Sequence, residues 1–278
     1  MSIQFIIRDD DLCYFTEPAE LASLYADVWK SFPITFAAVP WQSGAFAGHV
    51  PLAYWHTNQC FPLGENTELV SMVKAQLANG SIDIALHGIH HTYAIRRNQI
   101  IPELIDFKGD FGKAVVSGKQ YLDKLFGTDI KVFVPPSNTL RPDLAQVLIA
   151  QGWNLLNLPG LRRNTRPALS FRHQAGRMNR LISFLRDGVD MSAPLVWPKR
   201  WEVGGFPLTP TTDLENLKHA FRLAVERGHP FVLATHYWEH RSFLPGGSGR
   251  CQYDSFRDFL DFVSGFNIKP VRASDLTL

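Results

Sequence analysis

Short apolar runs alternate with amphipathic stretches along nearly the whole chain, and this alternation narrows the fold more than any other feature. Residues 3–7, 34–39, 82–86, 132–134, 153–156, 231–235 and 268–271 read as strands. Helical periodicity runs through the segment that carries Leu21, Leu24, Tyr25 and Val28 behind Pro18. It returns over 65–77, closed by Asn79-Gly80, and over 112–126, 142–150, 214–226 and 255–263. Strands separated by helices predict a parallel sheet with helices outside. The pattern alone fits a closed barrel and an open doubly wound sheet equally well. Residues 41–66 are rich in Gly, Pro and aromatic side chains and are expected to form long loops. Residues 161–186 are rich in arginine: Arg162, Arg163, Arg166, Arg172, Arg177, Arg180 and Arg186. No internal repeat or linker divides the chain, so one domain over 1–278 is expected.

Two of the strand-like runs end in polar clusters that are costly to bury without partners. One leads into Arg8-Asp9-Asp10-Asp11, the other into His87-Gly88-Ile89-His90-His91. Alone, the acidic run reads as a solvated Asp-rich turn. Together with His87 and His91, each cluster following an apolar strand, a metal site is the better reading. A carboxylate oxygen and two imidazoles form a common set for zinc or a transition metal. His87 and His91 are four residues apart, so one helical turn would put both on one face. Such a set leaves a coordination position for water, as a hydrolase requires.

Composition limits the alternatives. At 278 residues with an ordinary apolar fraction, the chain buries a large core. A net charge of +2 gives no nucleic-acid footprint. Cys13, Cys60 and Cys251 are an odd count without a Cys-x-x-Cys, which fits reduced thiols and a cytoplasmic address. The first residues enter a strand directly, without the charged and apolar regions of a signal peptide, and no apolar run is long enough for a membrane span.

The motifs resemble those of the polysaccharide deacetylase superfamily, carbohydrate esterase family 4, whose domain is also called the NodB-homology domain. Phe5-Ile-Ile-Arg-Asp-Asp-Asp-Leu12 is similar to the divergent Arg-x-Asp-Asp form of its first motif. The resemblance implies Asp10 as general base and Asp11 as metal ligand. The extra Asp leaves a one-residue ambiguity in which Asp9 and Asp10 are the pair instead. His87-Gly-Ile-His-His91 is similar to the family's His-x-x-x-His, which implies His87 and His91 as further ligands and His90 as a bystander or supporting group. Val132-Phe-Val-Pro-Pro-Ser-Asn138 resembles the third motif, a Pro-rich active-site wall, with Val134 where the family often has Arg. From it, Pro136 and Asn138 are expected at the substrate. Phe231-Val-Leu-Ala-Thr-His236-Tyr-Trp238 resembles the last motif, which implies His236 as general acid. Gly152-Trp153-Asn154-Leu-Leu-Asn157 sits where the family often carries an Asp that supports that histidine. The resemblance runs from about residue 3 to 276.

It implies an irregular (β/α)7-type barrel, the glycoside hydrolase/deacetylase-like architecture, holding a divalent metal, with zinc expected. The implied activity is metal-dependent removal of an N-acetyl or other acyl group from a sugar-containing substrate, in the setting of surface-polysaccharide biosynthesis. A metal-dependent C–N hydrolase of a non-sugar amide is the alternative, and a non-catalytic glycan-binding protein on the same fold is a third reading. A carbohydrate or amide small molecule is the expected partner, with the oligomeric state open.

The remaining candidates divide between pocket and surface. Trp238, beside His236, is the aromatic expected to meet substrate; most other aromatics belong to the core. His173, His240 and Glu239 are pocket candidates for which a surface place is the favoured expectation. His49 and His56 lie in the loop-rich region and could reach the pocket, although a place away from the chemistry is favoured. The arginine-rich segment reads equally as a solvated face or as a clamp for phosphate or carboxylate. Gly246-Gly-Ser-Gly249 lacks the Gly-Lys-Ser/Thr ending of a phosphate loop.

Overall fold

The computed structural model describes residues 2–156, 178, 181–189 and 193–278, apart from 58, 98 and 248. Its main sheet contains β1 (Ile3–Leu12), β2 (Ile34–Ala38), β5 (Ile82–His87), β8 (Val132–Val134), β9 (Asn154–Leu156), β10 (Leu195–Trp197), β11 (Arg200–Val203), β12 (Phe206–Pro207), β13 (Phe231–Thr235) and β14 (Ile268–Pro270). Two hairpins lie beside it, β3 (Trp41–Ser43) with β4 (Cys60–Pro62), and β6 (Tyr93–Arg96) with β7 (Gln99–Pro102). The strand order is β10-β11-β9-β8-β5-β2-β1-β13-β12, with β14 added against β1. Every neighbouring pair in the main sheet is parallel except β10 with β11. The curled sheet is the irregular barrel that the resemblance implied, and among the described residues its end strands β10 and β12 do not pair.

Strand alternation explains the layering, because successive side chains point to opposite faces. Phe5 and Ile7 of β1, Ile34 and Phe36 of β2, Ile84 and Leu86 of β5, and Phe231 and Leu233 of β13 join one buried cluster. That cluster includes Leu21, Leu24 and Tyr25 of α1 (Pro18–Tyr25), so it is the layer between sheet and helices. The intervening residues Ile6, Ala37, Ala85, Val134 and Val232 join a second cluster inside the curl. Val271, Ala273 and Leu276 complete this inner cluster, and the Ala273 and Ser274 N–H groups donate to Thr35 Oγ1 and Asp83 Oδ2 at 2.9 Å each. The strand starts are thereby closed, and a cavity opens at their C-terminal ends, where parallel barrels hold their chemistry.

The helices follow the expected periodicity. α2 (Thr67–Ala78) is capped by Asn66, whose Oδ1 accepts from the Leu69 N–H at 3.0 Å. α3 (Glu103–Asp106) follows β7. α4 (Phe111–Phe126) ends at the left-handed Gly127, α5 spans Pro142–Ala150, α6 (Leu214–Arg227) ends at the left-handed Gly228, and α7 spans Gln252–Ser264.

Three expectations change. Residues 41–66 hold the hairpin β3–β4 as well as loops, and the hairpin β6–β7 and the antiparallel β10–β11 pair add to the seven expected strands. These strands are three or four residues long, too short for periodicity to register. The acids of β1 lie inside the strand, not in a turn after it. His87 and His91 are joined by a loop rather than a helical turn. Among the arginines of 161–186 only Arg186 is described, exposed and paired with Asp187 at 2.9 Å; the others, with His173 and Asn157, lie outside the described residues. Among the described residues, no helix is long and apolar enough to cross a membrane.

Candidate metal centre

The three consecutive aspartates of β1 go to different places because the strand alternates and then breaks its alternation. Arg8 and Asp10 share the inward face with Ile6, while Asp9 shares the outward face with Ile7. Asp9 therefore meets the helix layer: it bonds the Tyr25 hydroxyl and accepts from the Tyr237 N–H at 3.2 Å. Tyr25 continues to His240 Nε2 at 2.9 Å. Burial raises the Asp9 carboxyl well above the usual carboxylate range, against the pull of these hydrogen bonds. Alternation would send Asp11 outward as well. Its φ of 73° is left-handed, the pairing with β2 shifts register between Asp9 and Leu12, and Asp11 turns into the cavity beside Asp10. Asp10 and Asp11 are thus the two acids at the cavity.

Arg8 is 1 % exposed and holds Asp10 in place. Its Nη2 donates to Asp10 Oδ2 at 2.7 Å and to Asn138 Oδ1 at 3.1 Å, and its Nη1 donates to the Leu156 carbonyl at 3.1 Å. Val134 offers no charge to the acid, and the arginine beside Asp10 is Arg8, from the same strand. The second oxygen, Asp10 Oδ1, is buried without a partner.

His87 ends β5 on the inward face, two residues after Ala85. Its Nδ1 donates to the Val134 carbonyl at 2.9 Å, which leaves Nε2 facing Asp11 Oδ1 at 3.3 Å. The chain then turns through Gly88 (φ 61°) and His91 (φ 50°), bringing His91 Nε2 to 3.0 Å from the same oxygen. At Gly88 a Cβ would lie 2.4 Å from Pro136 and 2.5 Å from Glu103, so only glycine fits. Glu103, at the start of α3, fixes the turn: its carboxylate accepts from the N–H groups of Ile89, His90 and His91 at 3.2, 2.9 and 3.1 Å. His90 points away from the cavity, donating through Nδ1 to the Trp41 carbonyl at 3.1 Å.

His236 follows β13, with Nδ1 3.0 Å from Glu239 Oε2 and Nε2 3.9 Å from Asp11 Oδ2. Burial acts to lower its pKa, but Glu239, Asp11 and Asp10 outweigh it and raise the imidazole to about 9. Glu239, expected at the surface, supplies the carboxylate that the Asn154 region lacks. His240, also expected at the surface, is buried against Tyr25 and Phe256. His49, expected away from the chemistry, is buried with Nδ1 3.2 Å from Asp11 Oδ2. No spacing rule could have found His49 or Glu103, since loops carry both to the site. His56 stacks on Phe46 instead.

Burial pushes the Asp11 carboxyl up, but the His49, His91 and His87 imidazoles together hold it well below the usual range. Asp11 Oδ1 nevertheless lacks a well-formed hydrogen bond although two imidazole nitrogens face it. A buried carboxylate oxygen faced by imidazole nitrogens without a well-formed hydrogen bond is suited to a divalent cation. The donor atoms of Asp11, His49 and His91 lie within 4.8 Å of one another. The residues present therefore fit a metal of the zinc or transition type.

The cavity above this set has a volume of about 850 Å³. Asp10, Asp11, His87, His91 and His236 form its polar part, while Phe46, Trp55, Ile100, Val189, Phe206 and Trp238 are among its apolar walls. Asn138 and Ser137 reach the wall, and Pro136 is buried behind it against Gly88. Trp238 lines the cavity while its indole N–H donates to Asp11 Oδ2 at 3.0 Å.

No protein-family model and no curated protein matches the sequence. Solved structures do. A protein from Mycobacterium smegmatis assigned as a polysaccharide deacetylase superposes with a TM-score of 0.56 at 13% identity, covering 98% of this chain and 87% of that one. Puue allantoinase superposes with a TM-score of 0.54 at 10% identity, covering 99% of this chain and 88% of its own. At these identities the likeness carries the architecture: the chain has the barrel fold found in polysaccharide deacetylase structures.

Proposed function

We propose that the chain is a divalent-metal-dependent hydrolase that removes an N-acetyl or other acyl group from a sugar-containing substrate. The observation that carries this reading is the meeting of Asp11, His87 and His91 at the strand ends, with Asp10 and His236 on the same cavity. Asp11, His87 and His91 would hold the metal, with zinc the expected ion. When bound, the ion supplies Lewis-acid polarisation and makes water acidic near neutral pH. Asp10, fixed by Arg8 and with Oδ1 free of protein partners, accepts the proton of the attacking water. His236 presents Nε2 to the cavity, with Nδ1 held by Glu239, and donates the proton that an amine leaving group needs. Asn138 steadies Arg8, and Trp238 covers the site from the side of Asp11.

The apolar walls favour a second reading within the same chemistry, a C–N hydrolase for a non-sugar amide with an apolar body. One experiment tests both. Protein purified without chelator is analysed for metal, then assayed for acetate release from N-acetyl sugars and for amine release from aryl and alkyl amides. About one ion per chain with turnover of N-acetyl sugars supports the first reading; turnover of the amides alone favours the second. A chain that takes up no metal refutes both.

A further inference from the structure

We infer that His49 is a fourth protein ligand of this centre, coordinating through Nδ1, with Gln42 setting its tautomer. This rests on the proposed metal dependence and adds a residue from the loop that follows β3 to the Asp11, His87 and His91 set. His49 is 6 % exposed, and its Nδ1 lies 3.2 Å from Asp11 Oδ2 without forming a hydrogen bond. The other ring nitrogen explains why. Nε2 is 3.1 Å from Gln42 Oε1, and the Gln42 amide is oriented by its own Nε2–H, which donates to the Ser43 carbonyl at 3.0 Å. Gln42 Oε1 can only accept, so His49 Nε2 carries the proton and Nδ1 presents a lone pair to Asp11. His87 is arranged in the same way, with the Val134 carbonyl in the place of Gln42. Fixing the tautomer of an imidazole through its distal nitrogen is the recurring support of metal-bound histidine.

The separations from Asp11 agree, and the donor atoms of His49, Asp11 and His91 lie within 4.8 Å of one another. With bonds of roughly 2.1 Å, adjacent ligand atoms around one ion stand about 3.0–3.4 Å apart. Asp11 oxygens lie 3.2 Å from His49 Nδ1, 3.3 Å from His87 Nε2 and 3.0 Å from His91 Nε2. Without a cation, lone pairs of His49 and His87 face a buried carboxylate, which is costly. The surrounding loop is shaped for this approach. Gly48, next to His49, packs under Trp238 so closely that a Cβ would lie 2.4 Å from the indole.

Metal affinity measured by competition with a chromophoric chelator tests the assignment, together with the visible absorption of the cobalt(II)-loaded protein. His49→Ala should weaken binding by more than about 10²-fold and change the cobalt spectrum. Gln42→Leu should weaken it by about 10–100-fold, the usual effect of removing a group that supports a ligand. Gln42→Glu keeps an acceptor at the same place and should restore binding. Equal affinity and an unchanged spectrum in His49→Ala would overturn the role of His49 while leaving the metal centre standing. A wild-type chain that binds no metal would instead overturn the metal dependence itself. If His49→Ala fails to fold, long-range proton–nitrogen NMR of the zinc-loaded wild type decides. The Nδ1 resonance of His49 should shift on loading while Nε2 keeps its proton, and an unmoved Nδ1 overturns the proposal.

Discussion

Glu103→Ala should loosen the metal centre without touching any ligand. In the native structure one buried carboxylate, 4 % exposed, serves three consecutive backbone N–H groups across the turn between His87 and His91. Alanine leaves all three without an acceptor. An unpaired buried donor costs about 1–3 kcal/mol, so the upper range is roughly 3–9 kcal/mol. Water entering the vacated space serves part of this demand, and a loss of about 3–5 kcal/mol is expected. Against a typical total of about 5–15 kcal/mol this is a large fraction. At about 2–4 °C per kcal/mol, the melting temperature should fall by roughly 6 °C or more. The turn, which relies on left-handed Gly88 and His91, also loses its anchor, so metal affinity should drop with stability. Glu103→Gln keeps one acceptor oxygen and should fall between. Thermal unfolding and chelator competition on the three proteins give the result. A melting temperature within about 2 °C of the wild type, with an unchanged chelator midpoint, would show that the carboxylate is not what holds the turn.

Asp9→Asn should retain metal and most turnover, since burial already favours the neutral form of this outward acid, whereas Asp10→Asn should lose about 10²–10⁴-fold in rate. Equal damage from the two, measured as acetate release at matched metal content, would refute the division of roles. In metal-free protein the His236 ring should titrate by NMR near pH 9, and Glu239→Gln should lower that value. Because the folded value lies above the unfolded value of about 6.5, the stabilisation it brings is complete below about pH 6.5 and is lost as pH rises through about 9. Gly48→Ala should force the Trp238 ring away from its bond to Asp11, destabilise the chain by about 1–3 kcal/mol and shift the indole fluorescence; unchanged emission and stability would contradict the packing described.

Much of the barrel was legible because its strands are buried on both faces and its helices on one, which writes periodicity into the sequence. The strand over 82–86 was visible from Ile82, Ile84 and Leu86, and the same alternation puts His87 inward. The strand end at Phe231–Thr235 similarly exposed His236. Geometry that depends on one backbone angle was not legible: nothing in the string Asp9-Asp10-Asp11 announces that Asp11 takes a φ of 73°. Contacts made across the fold were hidden for another reason. Glu103 reaches its partners from a short helix, and His49 from a loop without periodicity, so neither has a fixed sequence offset from the motif it serves. Glu239 was three residues from His236, close enough to be noticed, yet a charged residue after a strand reads as solvated until its partner is seen.

The run of three aspartates also has a genetic consequence. Losing any one of its three codons produces the same polypeptide, with Arg8 followed by two aspartates and then leucine. In that chain the first acid would stand where Asp9 meets Tyr25 and the second where Asp10 meets Arg8. The leucine of Leu12 would arrive at the left-handed position, which a bulky side chain resists and aspartate tolerates. The three letters look interchangeable, yet they hold no spare copy: every in-frame codon loss within the run removes the same thing, the acid that faces the histidines.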